Sequence, residues 1–182
     1  MGNPLVLYLN FKKEKKMASS YYKLDVTNRK EIRSKAVKAF KSLDENIKVN
    51  RSNWKYKEKG GGQSVELSYG RVIEKGAVNF SSISGRIIPG SALSTKIKTK
   101  TKSFSATGVS IVIHPENPFV PCSHLNIRYF ELGDKSWWVG GGFDLTPYFP
   151  FAKDVNYWHK NAKKITDELD KTGKELEEAT EL

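Results

Sequence analysis

The three histidines of this 182-residue chain are the first candidates for chemistry, because all of them occur in one part of the sequence. His114, His124 and His159 lie within or just after the segment 104–147. A neutral imidazole can bind a divalent metal ion, and an imidazole can also transfer a proton near neutral pH. A single histidine is more often structural or simply exposed, but three in one segment favour a functional site.

A thiol is a second candidate, since Cys122 precedes His124 by two positions. Two residues that far apart on an extended chain project to the same side, and a Cys/His pair can supply a nucleophile. The sequence shows no third residue that would orient this pair. A thiol nucleophile is therefore the weaker interpretation.

Two alternating segments must position these groups, because side chains in a strand alternate between its two sides. The apolar sides consist of Val109, Ile111 and Ile113 in the first segment, and of Leu125, Ile127 and Tyr129 in the second. The opposite sides consist of Ser110, Val112 and His114, and of His124, Asn126, Arg128 and Phe130. Prolines between the segments, in HPENPFVPCSH, remove backbone donors and predict a rigid loop. The pattern predicts an antiparallel hairpin whose polar side is either a water-facing surface or a binding face.

Three consecutive glycines, Gly140 to Gly142, follow the second strand and precede Asp144. Glycines allow backbone to approach backbone or ligand closely, and a carboxylate just after them would lie where the chain turns. A flexible turn with a locally hydrogen-bonded aspartate is the alternative interpretation.

The flanking segments predict an α+β fold, with a largely antiparallel sheet between helices. Apolar residues at helical spacing predict one helix over 28–48, and a second from 154 that is interrupted near Gly173. Further strands are predicted at 64–69, 71–75 and 83–88. We divide the chain into an irregular extension (1–26), a single domain (27–165) and a charged helical tail (166–182).

The net charge of +11 favours an anionic partner, and its sharpest local expression is an alternating lysine run from Lys96 to Lys102. Such a run predicts either an edge strand protected from aggregation by charge or a nucleic-acid surface. No RNA-binding aromatic motif or zinc finger accompanies it, so we expect no nucleic-acid partner. The lone cysteine excludes an internal disulfide and fits a cytoplasmic protein, and no segment is long and apolar enough for a membrane span.

The stretches GVSIVIHPENPFVP, SHLNIRYF and WWVGGGFDLTPYF are long and gapless. They resemble the oxygen-dependent coproporphyrinogen III oxidases of haem biosynthesis. Upstream, GGGQSVELSYGRVIEKGAVNFSSISG is similar to the Gly-rich start and the EKAGVNFS-type segment of the same family. The resemblance extends from Trp54 to His159.

The resemblance implies a reaction and a set of partners. The substrate is coproporphyrinogen III, a reduced tetrapyrrole with four propionates. Two propionates are oxidatively decarboxylated to vinyls, which gives protoporphyrinogen IX, carbon dioxide and hydrogen peroxide. Molecular oxygen is the co-substrate, no organic cofactor is needed, and the family forms homodimers.

The resemblance also implies roles for individual residues. Arg128 would pair with a propionate, Asp144 would accept pyrrole N–H groups, and Ser110 and Asn126 would supply neutral hydrogen bonds. Walls from Trp137, Trp138 and Phe143 would cover the macrocycle. In this family His124 is a suggested proton donor. His114, His124 and His159 are suggested ligands of a divalent metal, although the best-supported mechanism of the family requires none.

Members of this family continue well past the region of resemblance, with HRxxxRGxGGxFFD-type and GGR-type words that do not occur here. We therefore expect the chain to be the N-terminal portion of such a protein, as a fragment, a split-gene product or a degenerate relative. We expect it to bind a tetrapyrrole weakly and to show little turnover alone.

Overall fold

A computed structural model of the chain describes residues 7–13, 26–89 and 101–178. In these ranges two helices accompany one sheet of seven strands. The helices are α1 (Val26–Leu43) and α2 (Ala152–Glu178). The strands are β1 (Leu7–Lys13), β2 (Lys48–Lys55), β3 (Lys59–Ser68), β4 (Ile73–Gly85), β5 (Phe104–Pro115), β6 (Cys122–Leu132) and β7 (Trp137–Thr146).

Every strand pair in the sheet is antiparallel, and the spatial order is β1-β7-β6-β5-β4-β3-β2. From β2 to β7 each strand lies beside its neighbours in the chain, and neighbouring antiparallel strands need no crossover connection. β1 completes the sheet by pairing with β7 at the far edge. The α+β fold with a largely antiparallel sheet is confirmed.

One face of the sheet carries the main buried cluster, because the apolar sides of the central strands lie under α1. The buried cluster consists of Val37, Ile47, Val65, Leu67, Ile73, Val78 and Ile113. α2 lies on the same face, where the Trp158 ring makes an edge contact with the Phe143 ring at 5.6 Å between centroids. Both helices therefore cover the apolar face, and the polar face of the hairpin is left open to solvent.

The end of α1 is fastened to the turn between β3 and β4 by a buried carboxylate. Asp44 is 3% exposed and accepts hydrogen bonds from the backbone N–H groups of Val72 at 2.7 Å and Ile73 at 3.0 Å. The N–H donors of Ile73 and Val72 lower the pKa of Asp44 below its ordinary value. Gly70 permits this approach, because a Cβ there would collide with the Asp44 carboxylate.

Several predicted boundaries are wrong. The first helix ends at Leu43 and not near 48, since Asp44 leaves the helix to hold the β3–β4 turn and Lys48–Lys55 is a strand. The predicted strand at 83–88 is the end of β4, which stops at Gly85. The segment 1–26 is not irregular throughout, because β1 pairs with β7 by backbone bonds that do not depend on its polar side chains.

The helical tail and the lysine run also differ from prediction. α2 continues through Gly173 to Glu178 without interruption, because one glycine costs a helix only about 1 kcal/mol. Most of the alternating lysine run lies outside the described residues, and its end at 101–102 is not in a strand. Neither described helix is long and apolar enough to cross a membrane.

Candidate functional site

The open face of the sheet gathers polar side chains into rows, because directly paired residues of antiparallel strands project to the same side. One row, which we call the polar row, crosses four strands through Ser64, Asn79, Ser110 and Asn126. It ends at Gly142 of β7, which faces Asn126. Residues two positions apart along a strand lie about 6.6–6.8 Å from each other, so further rows run parallel to this one.

A row on one side of the polar row contains the histidine and the carboxylate. His124 of β6 pairs in register with Asp144 of β7, and His124 Nδ1 lies 2.7 Å from Asp144 Oδ1. Thr146 Oγ1 donates a second hydrogen bond to the same oxygen, at 3.0 Å. Within the described residues Asp144 Oδ2 makes no hydrogen bond, so this oxygen remains available to a ligand.

The hydrogen bond between His124 and Asp144 determines which ring nitrogen of His124 carries a hydrogen. A carboxylate can only accept, so the hydrogen of the His124–Asp144 bond is on Nδ1. A neutral His124 consequently presents Nε2 as an acceptor. It can donate a proton from Nε2 only when the ring carries both hydrogens. The side chains of His124 and Asp144 are 36% and 19% exposed, so both remain accessible from the cavity side.

The row on the other side of the polar row contains Arg128. It pairs in register with Gly108 of β5 and Gly140 of β7. The Arg128 side chain lies across Gly108, since a Cβ on that glycine would come within 2.9 Å of Arg128 Cγ. Glycine at position 108 therefore leaves room for the aliphatic part of the Arg128 side chain. Arg128 is exposed and makes no ion pair with any described residue.

Beyond Arg128 the same face ends in an aromatic wall. Phe130 stacks on Phe104 at 5.3 Å and on Trp138 at 4.5 Å between ring centroids. Ile83 and Ala106 pack against this cluster. The wall provides an apolar flat surface beside a cationic side chain.

Together these rows line a cavity of about 880 Å³, within the range of typical ligand pockets. Among the described residues that line it, Arg128 is the one cationic side chain and Asp144 the one acidic side chain. The cavity therefore offers one cationic partner for a carboxylate and one carboxylate partner for a hydrogen-bond donor, beside a flat apolar surface.

Four predicted site residues, Ser110, Asn126, Arg128 and Asp144, line this cavity together. The fifth predicted site residue, His124, forms a hydrogen bond with Asp144. Their roles toward a ligand stay predictions. The free thiol of Cys122 is partly buried at the start of β6, where it pairs in register with Thr146.

The three histidines are only partly brought together. The rings of His114 and His124 meet edge to face at 5.8 Å between centroids. His159 is exposed on α2. In the ranges that the structure describes, no three or more His, Cys, Asp or Glu side chains are grouped so that they could hold a metal ion. The predicted three-histidine ligand set is therefore not assembled by this part of the chain.

Two of the three predicted apolar walls are wrong. The glycine run is not a turn but the middle of β7, so the alternation of sides continues through it. Trp138 and Asp144 therefore share the cavity side, whereas Trp137 and Phe143 face the other way. Trp137 is buried against Tyr129, and Phe143 contacts α2.

Sequence reasoning missed the cavity residues of β2, β3 and β4. Those on the cavity side of the sheet are Trp54, Ser64, Asn79, Ser81 and Ile83. The alternation of polar and apolar residues in GAVNFSSIS and GQSVELS marks which side chains share a face. It does not show which strand lies beside β5, and that pairing brings them to the cavity.

Comparison with known families adds one finding. The sequence model of the family described as coproporphyrinogen III oxidase matches residues 26–177. This match begins at α1 and continues past His159, where the resemblance recognised from the sequence ends, so it includes every strand of the cavity and nearly all of α2. The chain therefore belongs to the coproporphyrinogen III oxidase family.

Proposed function

We propose that the open face of the sheet binds coproporphyrinogen III and that the protein converts two of its propionates to vinyls in an oxygen-dependent reaction. The observation that carries the proposal is the family match over a chain whose Ser110, Asn126, Arg128 and Asp144 line one cavity. The product would be protoporphyrinogen IX, a step in haem and porphyrin biosynthesis.

Each half of this reaction balances with oxygen as the oxidant. A propionate breaks its bond to the carboxylate carbon and releases carbon dioxide. The carbon next to the pyrrole loses the equivalent of a hydride, and a double bond forms between the two remaining side-chain carbons. Dioxygen takes up that hydride equivalent and one proton and becomes hydrogen peroxide.

Arg128 would hold the propionate. A guanidinium forms paired hydrogen bonds with a carboxylate, and Arg128 has no carboxylate partner among the described residues. The aromatic wall of Phe104, Phe130 and Trp138 would cover the face of the macrocycle close to this contact. The carboxylate and the ring would thus be recognised by adjacent parts of one surface.

Asp144 would act at the pyrrole nitrogens. Its Oδ1 is occupied by His124 and Thr146, and its Oδ2 can accept pyrrole N–H groups. A fixed carboxylate there would favour one hydrogen arrangement of the pyrrole and stabilise positive charge as the ring loses a hydride. When His124 carries both hydrogens, it would keep Nδ1–H on Asp144 and supply a proton from Nε2.

A second candidate function is binding of a tetrapyrrole without turnover. The same cavity residues support it, since Arg128 and Asp144 can hold a polycarboxylate macrocycle whether or not decarboxylation follows. The hypothesis of a nucleic-acid-binding surface depends on the net charge and on a lysine run that lies mostly outside the described residues. No feature of the cavity favours it.

The test is an incubation of the protein with coproporphyrinogen III in air and under argon. Vinyl products are separated by chromatography, and hydrogen peroxide is measured in parallel. We expect slow vinyl formation in air, in keeping with the little turnover expected of this chain alone, and none under argon. Binding of coproporphyrin III without any vinyl product would support the second candidate. The absence of both binding and turnover would show that the proposed function is wrong.

A further inference from the structure

We propose that Ser64, Asn79 and Ser81 form a neutral subsite for a second carboxylate, at the end of the cavity remote from Asp144. The proposal rests on the proposed function, since the ligand is a tetrapyrrole that carries several carboxylates. It assigns a specificity role to strands β3 and β4, whose side chains are otherwise unused in the reaction.

The register of the sheet brings these groups together. Asn79 of β4 pairs directly with Ser64 of β3, and Ser81, two positions along β4, projects to the same side. Ser81 pairs with Gly62, and the indole of Trp54 lies against that glycine. Trp54 thus closes this end of the cavity beside the three polar side chains.

The three side chains have hydrogen-bonding capacity that the protein leaves unused. All are partly buried, and none makes a side-chain hydrogen bond with another described residue. An asparagine amide offers two donor hydrogens, and each serine hydroxyl offers one. Partly buried donors that lack a protein partner can donate hydrogen bonds to a ligand in place of water.

Charge counting favours a carboxylate as that ligand. Arg128 is the one cation among the described residues of the cavity, so within this part of the chain a second carboxylate can be bound only by neutral donors. β4 and β3 lie two and three strand positions from β6, which is about 10–14 Å at the usual strand spacing. A macrocycle held by Arg128 through one propionate extends toward these strands, where neutral donors can bind another.

The deciding experiment introduces a negative charge at this subsite. Fluorescence titrations measure Kd for coproporphyrin III, which has four carboxylates, and for mesoporphyrin IX, which has two. The variants are Asn79→Asp and Asn79→Ala. The control is Asn53→Asp, which adds the same charge on the opposite side of the sheet and keeps the acceptor for Gln63 Nε2.

We expect Asn79→Asp to raise the Kd of coproporphyrin III about tenfold or more, and Asn79→Ala to raise it severalfold, because a hydrogen bond to a charged group is lost. Mesoporphyrin IX should be affected much less, since its two carboxylates can remain near Arg128. Asn53→Asp should leave both Kd values within about twofold of wild type.

Three results would overturn the inference. Asn79→Asp could match the Asn53→Asp control, or both porphyrins could lose affinity equally, which would indicate a contact with the ring and not with a carboxylate. If Asn79→Asp fails to fold by circular dichroism, a wild-type Kd in Asn79→Ala would refute the subsite. Failure of the wild type to bind either porphyrin would instead overturn the proposed function, and the subsite with it.

Discussion

Replacing Arg128 by alanine should weaken binding of a tetrapyrrole carboxylate while leaving the sheet intact. The guanidinium is exposed, has no described ion-pair partner and lies over Gly108. Its removal therefore leaves no buried charge unpaired, which is the usual reason that deleting an ionic group destabilises a fold. We expect the melting temperature to change little and the affinity to change clearly.

The size of the effect follows from the exposure of Arg128. A hydrogen bond to a charged group contributes about 1.5–3 kcal/mol, whereas a fully solvated ion pair contributes about 0–1 kcal/mol. A guanidinium beside the stacked rings of Phe130 and Trp138 lies between these limits. We expect a loss of about 1–2 kcal/mol, which corresponds to a rise in Kd of about 5–30-fold.

The assay is a fluorescence titration of coproporphyrin III at low and high salt. Screening should shrink the difference between wild type and Arg128→Ala as the salt concentration rises. Arg128→Lys should recover part of the affinity, because it keeps the charge and loses the paired geometry. Arg71→Ala, which removes the same charge outside the cavity, is the control. A Kd for Arg128→Ala within twofold of the control would refute the assignment.

Three further substitutions test other residues. Asp144→Ala should lower kcat far more than it weakens porphyrin binding, because its carboxylate acts most strongly as the ring changes charge. The same change should release His124 from the Nδ1–H form to a mixture of tautomers, measured by ¹⁵N NMR of the ring. Asp44→Ala should lower the melting temperature by several degrees at pH 7 and by less at low pH. The pKa of Asp44 is lowered in the fold, so its contribution is complete above the ordinary value of 3.8 and is lost as pH falls through the lowered pKa. His159→Ala should leave porphyrin binding and metal content unchanged, because His159 is exposed on α2 and belongs to no described group of three ligands.

Each of these substitutions has an outcome that contradicts the expectation. A kcat for Asp144→Ala within twofold of wild type would remove Asp144 from the reaction. An equal loss of stability for Asp44→Ala at pH 7 and pH 3 would mean that its charge does not stabilise the turn. Loss of a stoichiometric bound metal in His159→Ala would restore the three-histidine interpretation, whether or not the protein is active.

The hairpin of β5 and β6 could be predicted from its residues because both strands alternate without interruption. Ser110 and Asn126 were assigned to the polar side from period two alone, and the register places them directly opposite each other. Period two also placed Arg128 on that side, and Asp144 stood out after the glycine run. The family resemblance then supplied roles for both residues, which the structure brings into the same cavity. What spacing alone could not show was the hydrogen bond between Asp144 and His124, since it depends on the register of β7.

The rest could not be predicted because backbone pairing, and not side-chain pattern, decides it. β2 is polar along most of its length, and β1 belongs to the sheet through its pairing with β7. The run Gly140–Gly142 has no side chains to alternate, so the sequence leaves a turn open as one interpretation, although the run continues a strand. The resemblance implied Trp137, Trp138 and Phe143 as walls together, whereas alternation along β7 leaves only Trp138 of these three on the cavity side.

The site depends on the core of the opposite face through the register of the strands. A slip of one residue between β4 and β5 would exchange the two faces, which would move Asn79 or Ser110 into the core and a valine into the cavity. Val78 is fully buried beneath α1 and sits next to Asn79 in the chain, so burying this side chain also fixes the direction of its polar neighbour. The apolar side chains that stabilise the sheet therefore also align the polar row. A core substitution that loosens this register should reduce ligand binding even though it touches no cavity residue.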